Sequence, residues 1–298
     1  MNLAKVSSLE EYVHEVCLEK AKIYNDQSIA FEKLLFRGQA NVDYEILPSI
    51  ARDRTSSVSI SILNQERNLI EMAKYRMPDI FRENMSPIEI LALLQHHGIP
   101  TRLLDVTENA LVALFFACNE DDSDGEVIVF KENDKDIGAY PIRNAIADTY
   151  RFANATWNRL DSFYEKIVKQ PYFLEQTTML KNIYKTSEQE AQWICDCCSG
   201  IMFVYAPIRT MRQEMQSGRY ILFHNRIITA DDGTLAFEQI IDPIPKDHKN
   251  IMKRIVIPKD QKRNILSNLE VFGITEGRLF CDNTDIVCKN IVKQLKPR

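Results

Sequence analysis

Two stretches of the chain hold side chains whose types and spacing suit chemistry: Arg37 with its neighbours, and residues 95–107. Arg37 follows an apolar run, 31–36, and precedes Gly38 and Gln39. A guanidinium there offers a rigid fork of donors matched to phosphate or carboxylate, and the glycine lets backbone come close to a ligand. The alternative is an arginine that pairs with Asp105 and holds the fold. Arg52, after Leu47, Pro48 and Ser49, is either a second cation for phosphate or a surface arginine. Glu66 either faces Arg37 or is solvated, and solvation is the expected state of a glutamate on a helix.

In the second stretch, Gln95, His96 and His97 precede Gly98 at the end of a predicted helix. A histidine there caps the last carbonyls or acts as acid or base. Adjacent histidines diverge on a helix, which argues against one shared metal. In extended chain, Thr101, Leu103, Asp105 and Thr107 share a face, while Arg102, Leu104 and Val106 share the other. Polar residues beside an apolar helix need partners: each other and Arg37, or a ligand.

Two further clusters carry a chemical and a plainer reading. Cys195, Cys197 and Cys198 are too closely spaced, and lack a second ligand pair, for a zinc site, so buried or half-buried thiols are expected. The stretch 151–184 interleaves Arg151, Trp157, Lys166, Lys169, Lys181 and Tyr184 in a pattern that can stack on and neutralise nucleic acid. Asp161, Glu165 and Glu175 dilute that charge, so a helical lobe with an aromatic core and a charged skin is expected.

Several elements must position these residues. Residues 3–34 read as helix, with a capping-box pattern at Ser7, Ser8 and Glu11. A strand follows, with Arg37 at its end, and 38–52 reads as a loop with an extended piece. Helical periodicity marks 60–75 and 87–95; Gly98 and Pro100 close the latter. Residues 101–106 read as a short strand, and 108–119 as an apolar, buried helix. Residues 125–131 read as a strand rich in β-formers, 140–198 as a helical insertion, 202–206 and 219–224 as strands, and 210–215 as a turn or short helix. Residues 237–244 and 251–257 read as extended, and 259–271 and 285–295 as helices. The order predicts an α+β fold, a mostly antiparallel sheet surrounded by helices. One domain is expected over 1–298: an N-terminal helix within 1–30, a core of 31–135 and 200–298, and the insertion at about 140–198.

Totals bound the function classes. A 298-residue chain with a formal net charge of -5 does not hold nucleic acid by bulk charge. The longest apolar run, 110–118, has about half the residues of a membrane span, and the N-terminus lacks the pattern of a signal peptide. No membrane association, no metal and a cytoplasmic location are expected.

The motif Phe36-Arg37-Gly38-Gln39, then Leu47-Pro48-Ser49-Ile50-Ala51-Arg52, and the run from Gln95-His96-His97-Gly98 through Asp105-Val106-Thr107 closely resemble the FRG domain. Arg212, Gln216, Gly218 and Tyr220 resemble a later element of that family, and Gly273-Ile274 with Leu279-Phe280-Cys281-Asp282 its closing segment, where Phe-Pro-Asp is usual. The resemblance implies an effector of bacterial anti-phage defence or toxin type. A remoter resemblance is to arginine-class ADP-ribosyltransferases, whose aromatic-Arg-Gly strand, Ser-Thr-Ser strand and Glu-bearing loop are similar to Phe36-Arg37-Gly38, to Asp105-Val106-Thr107 leading into 110–117, and to Glu214-Met215-Gln216. It implies an ADP-ribosyltransferase-like core acting on NAD as substrate. Arg37, Gly38, Gln39, Arg52, Thr101 and Arg102 would then hold the nucleotide. Asp105 and Thr107 would line the ribose, and Glu214 or Gln216 would orient its 2′-hydroxyl. Gln216 stands where the family's catalytic glutamate would match, and an amide carries no charge to stabilise a cationic centre. ADP-ribosyl transfer to a protein or nucleic-acid acceptor, or NAD cleavage, is the leading expectation. A sensor of a nucleotide or phage component, without turnover, is the alternative; a nuclease-like effector using His96 is a third.

Overall fold

The computed structural model of the chain describes residues 3–25, 33–53, 61–82, 84–120, 122–132, 141–153, 158–173 and 177–281. The described elements are, in chain order, β1 (Leu3–Lys5), α1 (Leu9–Asn25), β2 (Lys33–Gln39), α2 (Glu66–Arg76), α3 (Pro87–His96), β3 (Leu103–Thr107), α4 (Ala110–Cys118) and β4 (Gly125–Glu132). Helices α5 (Pro141–Ala147), α6 (Thr149–Phe152), α7 (Leu160–Ile167), α8 (Thr177–Ile183) and α9 (Ser187–Cys197) follow. The chain continues through β5 (Met202–Val204), α10 (Met211–Met215), β6 (Gly218–Leu222), β7 (Ile227–Thr229), β8 (Leu235–Phe237), β9 (Ile251–Ile257), α11 (Lys262–Val271) and α12 (Glu276–Leu279). The protein is α+β. Among the described residues its main sheet has seven strands in the order β1-β9-β4-β2-β3-β6-β5, antiparallel throughout except for the β1–β9 pair.

Several expectations change. Helix α1 starts at Leu9, where the Ser8 hydroxyl accepts from the Glu11 amide and the Glu11 carboxylate accepts from Ser7. Ahead of it, Leu3–Lys5 form a strand instead, added parallel to the edge of β9. The 60–75 helix is a 3-10 turn at Ile62–Gln65 capped by the Ser61 side chain, running into α2. Arg37 lies inside β2, whose ladder with β4 continues through Gln39. Of the 237–244 segment, only Phe237 lies in a strand, β8, which forms a separate hairpin with β7. The expected helix at 285–295, together with Trp157, Glu175 and Asp282, lies outside the described residues.

Three apolar cores hold the layers. Helices α1, α4 and α11 cover one face of β2, β4 and β9 through residues such as Phe36, Val112, Val129 and Ile255. Helices α2, α3 and α5–α9 form a lobe that packs on β3, β5 and β6 through Leu103, Val204, Tyr220 and Leu222. Leu35, Leu104, Val106 and Ile128 cover the opposite sheet face with Ile46, Leu47 and Ile241. Two glycines let α4 settle onto the sheet. A Cβ on Gly38 would lie 1.9 Å from the Ala113 carbonyl oxygen, and one on Gly125 would lie 2.1 Å from that of Ala117. Gly38 is therefore a contact point for a helix backbone.

Strands β2 and β3 form the weak seam of the sheet. They are joined at a single registered pair, Phe36 with Thr107, whereas β2 pairs with β4 along seven positions from Lys33 to Gln39. Beyond Phe36 the backbone ladder stops, and the Arg37 side chain takes over: its Nη1 donates to the Asp105 carbonyl at 2.7 Å.

Candidate functional site

A cavity of about 290 Å³ opens beside this seam, lined by residues of β2, β3, α4, α10 and β6. Val106, Val112 and Tyr220, one from each of the three cores, reach its wall. Of the residues singled out in the sequence, Arg37, Gly38, Arg52, Asp105, Thr107 and Gln216 line it together. Chain segments far apart in sequence thus converge on one space.

Cations dominate the lining. Arg37, Arg52 and Arg212 all contribute, with Asp105 the sole carboxylate among the described lining residues. Burial pushes the Arg37 guanidinium down to about 10; Asp105 opposes this and the positive charge of Arg52 adds to it. The group is still a cation at neutral pH, but one made uncomfortable by burial and by a like charge, conditions that an anionic ligand would relieve. Its Nε is buried with no hydrogen-bond partner among the described residues. Arg52 is exposed and fixed by its Nε bond to the Leu47 carbonyl, at 3.2 Å. Arg212 lies over the Phe280 ring, 4.7 Å from its centroid, a geometry in which cation–π attraction orients the guanidinium.

The other polar groups hold the frame. The Thr107 hydroxyl donates to the Gln216 carbonyl at 2.6 Å and accepts from the Asn109 amide at 2.9 Å. The Gln216 side-chain amide donates to the Leu279 carbonyl at 3.0 Å. Between Gln216 and Gly218 the chain turns through Ser217 at φ 46, a left-handed conformation that a non-glycine residue adopts at a cost. Helix α10 is set by a capping box between Thr210 and Gln213, and Gln213 also donates to the Tyr220 hydroxyl at 3.0 Å. Burial, then the charge of Asp105, pushes that hydroxyl up to about 12. Asp105 itself is exposed on the cavity side of β3.

Other expected residues lie elsewhere. Arg102 is 1% exposed and points away from the cavity. Its Nε donates to Glu66 at 2.8 Å, and its Nη1 donates to Asn225 at 3.1 Å. Glu66, expected in solvent, is buried for that pair. Thr101 is buried with its hydroxyl on Gln95, at 2.6 Å. Gln39 is buried with its amide on the Glu45 carbonyl. His96 sits at the end of α3, edge-on to His97, and Glu214 is exposed on α10; neither lines the cavity. Among the described residues no group of three His, Cys, Asp or Glu could hold a metal ion, and no helix is long and apolar enough to cross a membrane. Arg212 and the aromatic wall of Phe36, Phe116 and Tyr220 were given no site role in the sequence, although Phe36, Arg212 and Tyr220 stand in the family-like motifs quoted there.

Residues 32–126 match the family model of the FRG domain, a stretch that includes β2, β3 and α4 and hence Arg37, Arg52, Asp105 and Thr107. No curated protein and no solved structure matches the chain.

Proposed function

We propose that this FRG domain-containing protein takes NAD or a related nucleotide into the cavity at the β2–β3 seam and breaks its ribosyl bond, by ADP-ribosyl transfer or by hydrolysis. The observation that carries this reading is the convergence of Arg37, Arg52 and Arg212 around one carboxylate. Guanidinium forks match phosphate oxygens bidentately, and a diphosphate would neutralise the excess positive charge. The volume of about 290 Å³ is at the small end of ligand sites, which run from about 300 Å³ upward. It suits the phosphoribosyl moiety of a nucleotide, with the remainder extending along the open side.

On this reading Asp105 is the group that serves the chemistry. In the reaction the C1′–N bond breaks and its electron pair leaves with nicotinamide. A cationic ribosyl centre forms, and water or an acceptor nucleophile supplies the new pair to C1′ and loses a proton. A carboxylate facing that centre stabilises its charge or accepts from a ribose hydroxyl. The role expected of Glu214 or Gln216 passes to Asp105 on this reading, because Glu214 is outside the cavity lining and the Gln216 amide is engaged with Leu279. Those two placements also favour a second reading, nucleotide recognition without turnover. An effector role in anti-phage defence, or as a toxin, rests on the FRG resemblance alone.

The test is to incubate the purified protein with NAD and to follow nicotinamide release, alongside thermal protection by ADP-ribose. Release lost in Asp105→Asn and in Arg37→Ala, with both variants folded, supports turnover. Protection without release supports recognition alone. Neither release nor protection would sink both readings.

A further inference from the structure

A second basic site lies in the helical lobe, away from the seam. A groove of about 500 Å³ runs between α7, α8 and α9, and its lining includes Tyr164, Lys169, Lys181, Tyr184, Lys185 and two glutamates, Glu165 and Glu190. Lys169, Lys181 and Lys185 come from the turn after α7, from α8 and from the turn before α9, and none is ion-paired among the described residues. The wall behind them is aromatic. Tyr184 lies 5.7 Å from Trp193, and Tyr164 packs edge-on against both. Tyr164 is 1% exposed, yet its hydroxyl has no hydrogen-bond partner among the described residues. A buried hydroxyl left unpartnered in a groove wall costs stability unless a ligand or water meets it.

We propose that this groove binds a short stretch of single-stranded nucleic acid. Three lysines act as separate point charges for successive phosphodiesters, and the half-buried Tyr184 ring gives a base a surface to stack on. Glu165 and Glu190 fit the same partner, because carboxylates accept from exocyclic base amines. A phosphorylated peptide would use the lysines but leave the Tyr184 ring without a base to stack on it, so the aromatic surface favours nucleic acid. The net charge of -5 makes this a local contact rather than a field effect, so affinity is modest and strongly salt-dependent. The proposal is independent of the nucleotide reading of the seam cavity.

The experiment is fluorescence anisotropy with a labelled twelve-nucleotide single strand, as DNA and as RNA, on the full chain over a range of salt concentrations. Three phosphate contacts give a slope of log affinity against log salt of about −2, since each contributes about −0.7 for a single strand. The triple variant Lys169→Ala, Lys181→Ala, Lys185→Ala should flatten that slope and weaken binding at least tenfold, and Tyr184→Ala should weaken it about tenfold. Arg37→Ala should leave it unchanged, which separates this result from failure at the seam. Melting temperatures establish that each variant is folded. No binding by the wild type, equal binding by the folded triple variant, equally tight binding of a duplex, or displacement by a phosphoserine peptide at equal concentration would each overturn the proposal.

Discussion

Arginines at the scale of single residues divide into those that face a cavity and those that hold the interior. Arg102 and Glu66 form a buried, bidentate pair with Asn225 completing the guanidinium's bonds. Removing one partner leaves the other charge buried and unpaired, so Glu66→Gln should destabilise by about 3–5 kcal/mol, read as a lowered urea midpoint. Arg37→Ala leaves no buried charge unpaired but removes one bond across the seam, so a loss of ligand with a smaller loss of stability than that of Glu66→Gln is expected there. Gly38→Ala should lower the melting temperature severely, because its Cβ would strike the Ala113 carbonyl of α4. Sequence did not separate Arg37 from Arg102: both are arginines in or beside a short strand, and the partner of Arg102 lies 36 residues earlier on another element. What could be read was the alternation, which sets Asp105 and Thr107 on the face opposite Arg102, Leu104 and Val106. Titration adds a check at this scale. Burial, with Arg102 adding, holds the His224 imidazole below its ordinary value of 6.5, and burial acts on His248 in the same direction. The unfolded chain takes up protons near that pH that the folded protein resists. Stability is therefore full above it and is lost as pH falls toward the depressed values. The melting temperature should drop between about pH 7.5 and pH 5.5, and His224→Gln should reduce the drop; a pH-independent melting temperature would contradict this.

Elements set the site through their ends. Helix α10 is only five residues long, Met211–Met215, too short to persist without its cap and contacts. The Thr210–Gln213 capping box and the Gln216–Leu279 bond fix where Arg212 and Gln216 stand. Thr210→Val should cost about 1 kcal/mol of stability and should also weaken nucleotide binding, a combination that a purely peripheral helix would not give. Strands β4 and β9 were readable from their β-branched runs, and α3 from its proline start and glycine stop. Strand β1 was not, because three residues ahead of a strong helix carry no periodicity of their own; it exists through its pairing with β9. Within the 237–244 segment, read as extended, Phe237 pairs in β8 and Ile244 bridges to Ile46, while Ile241 covers a sheet face without joining a ladder.

Across the whole molecule, the sheet is two blocks, β1-β9-β4-β2 and β3-β6-β5, joined at one registered pair and by the Arg37 side chain. A ligand held by Arg37 on one side and by Asp105 or Arg212 on the other bridges the blocks. Its binding should raise amide hydrogen-exchange protection in β2 and β3 more than in β9, and should raise the melting temperature with ligand concentration. Uniform protection, or none, would count against a seam-spanning ligand. No local window of sequence announces this arrangement, because three cores built from distant segments must meet to create it. The FRG-like motifs named the right strands and could not say which of their polar residues face inward.

Calorimetric titration of ADP-ribose into the wild type and into Arg37→Ala tests the arginine-lined cavity most directly. Hydrogen bonds from a charged group contribute about 1.5–3 kcal/mol each, so the account predicts that the wild type binds and that the variant, still folded, binds at least tenfold more weakly. Equal affinity in the two proteins, or no binding to the wild type, would contradict it.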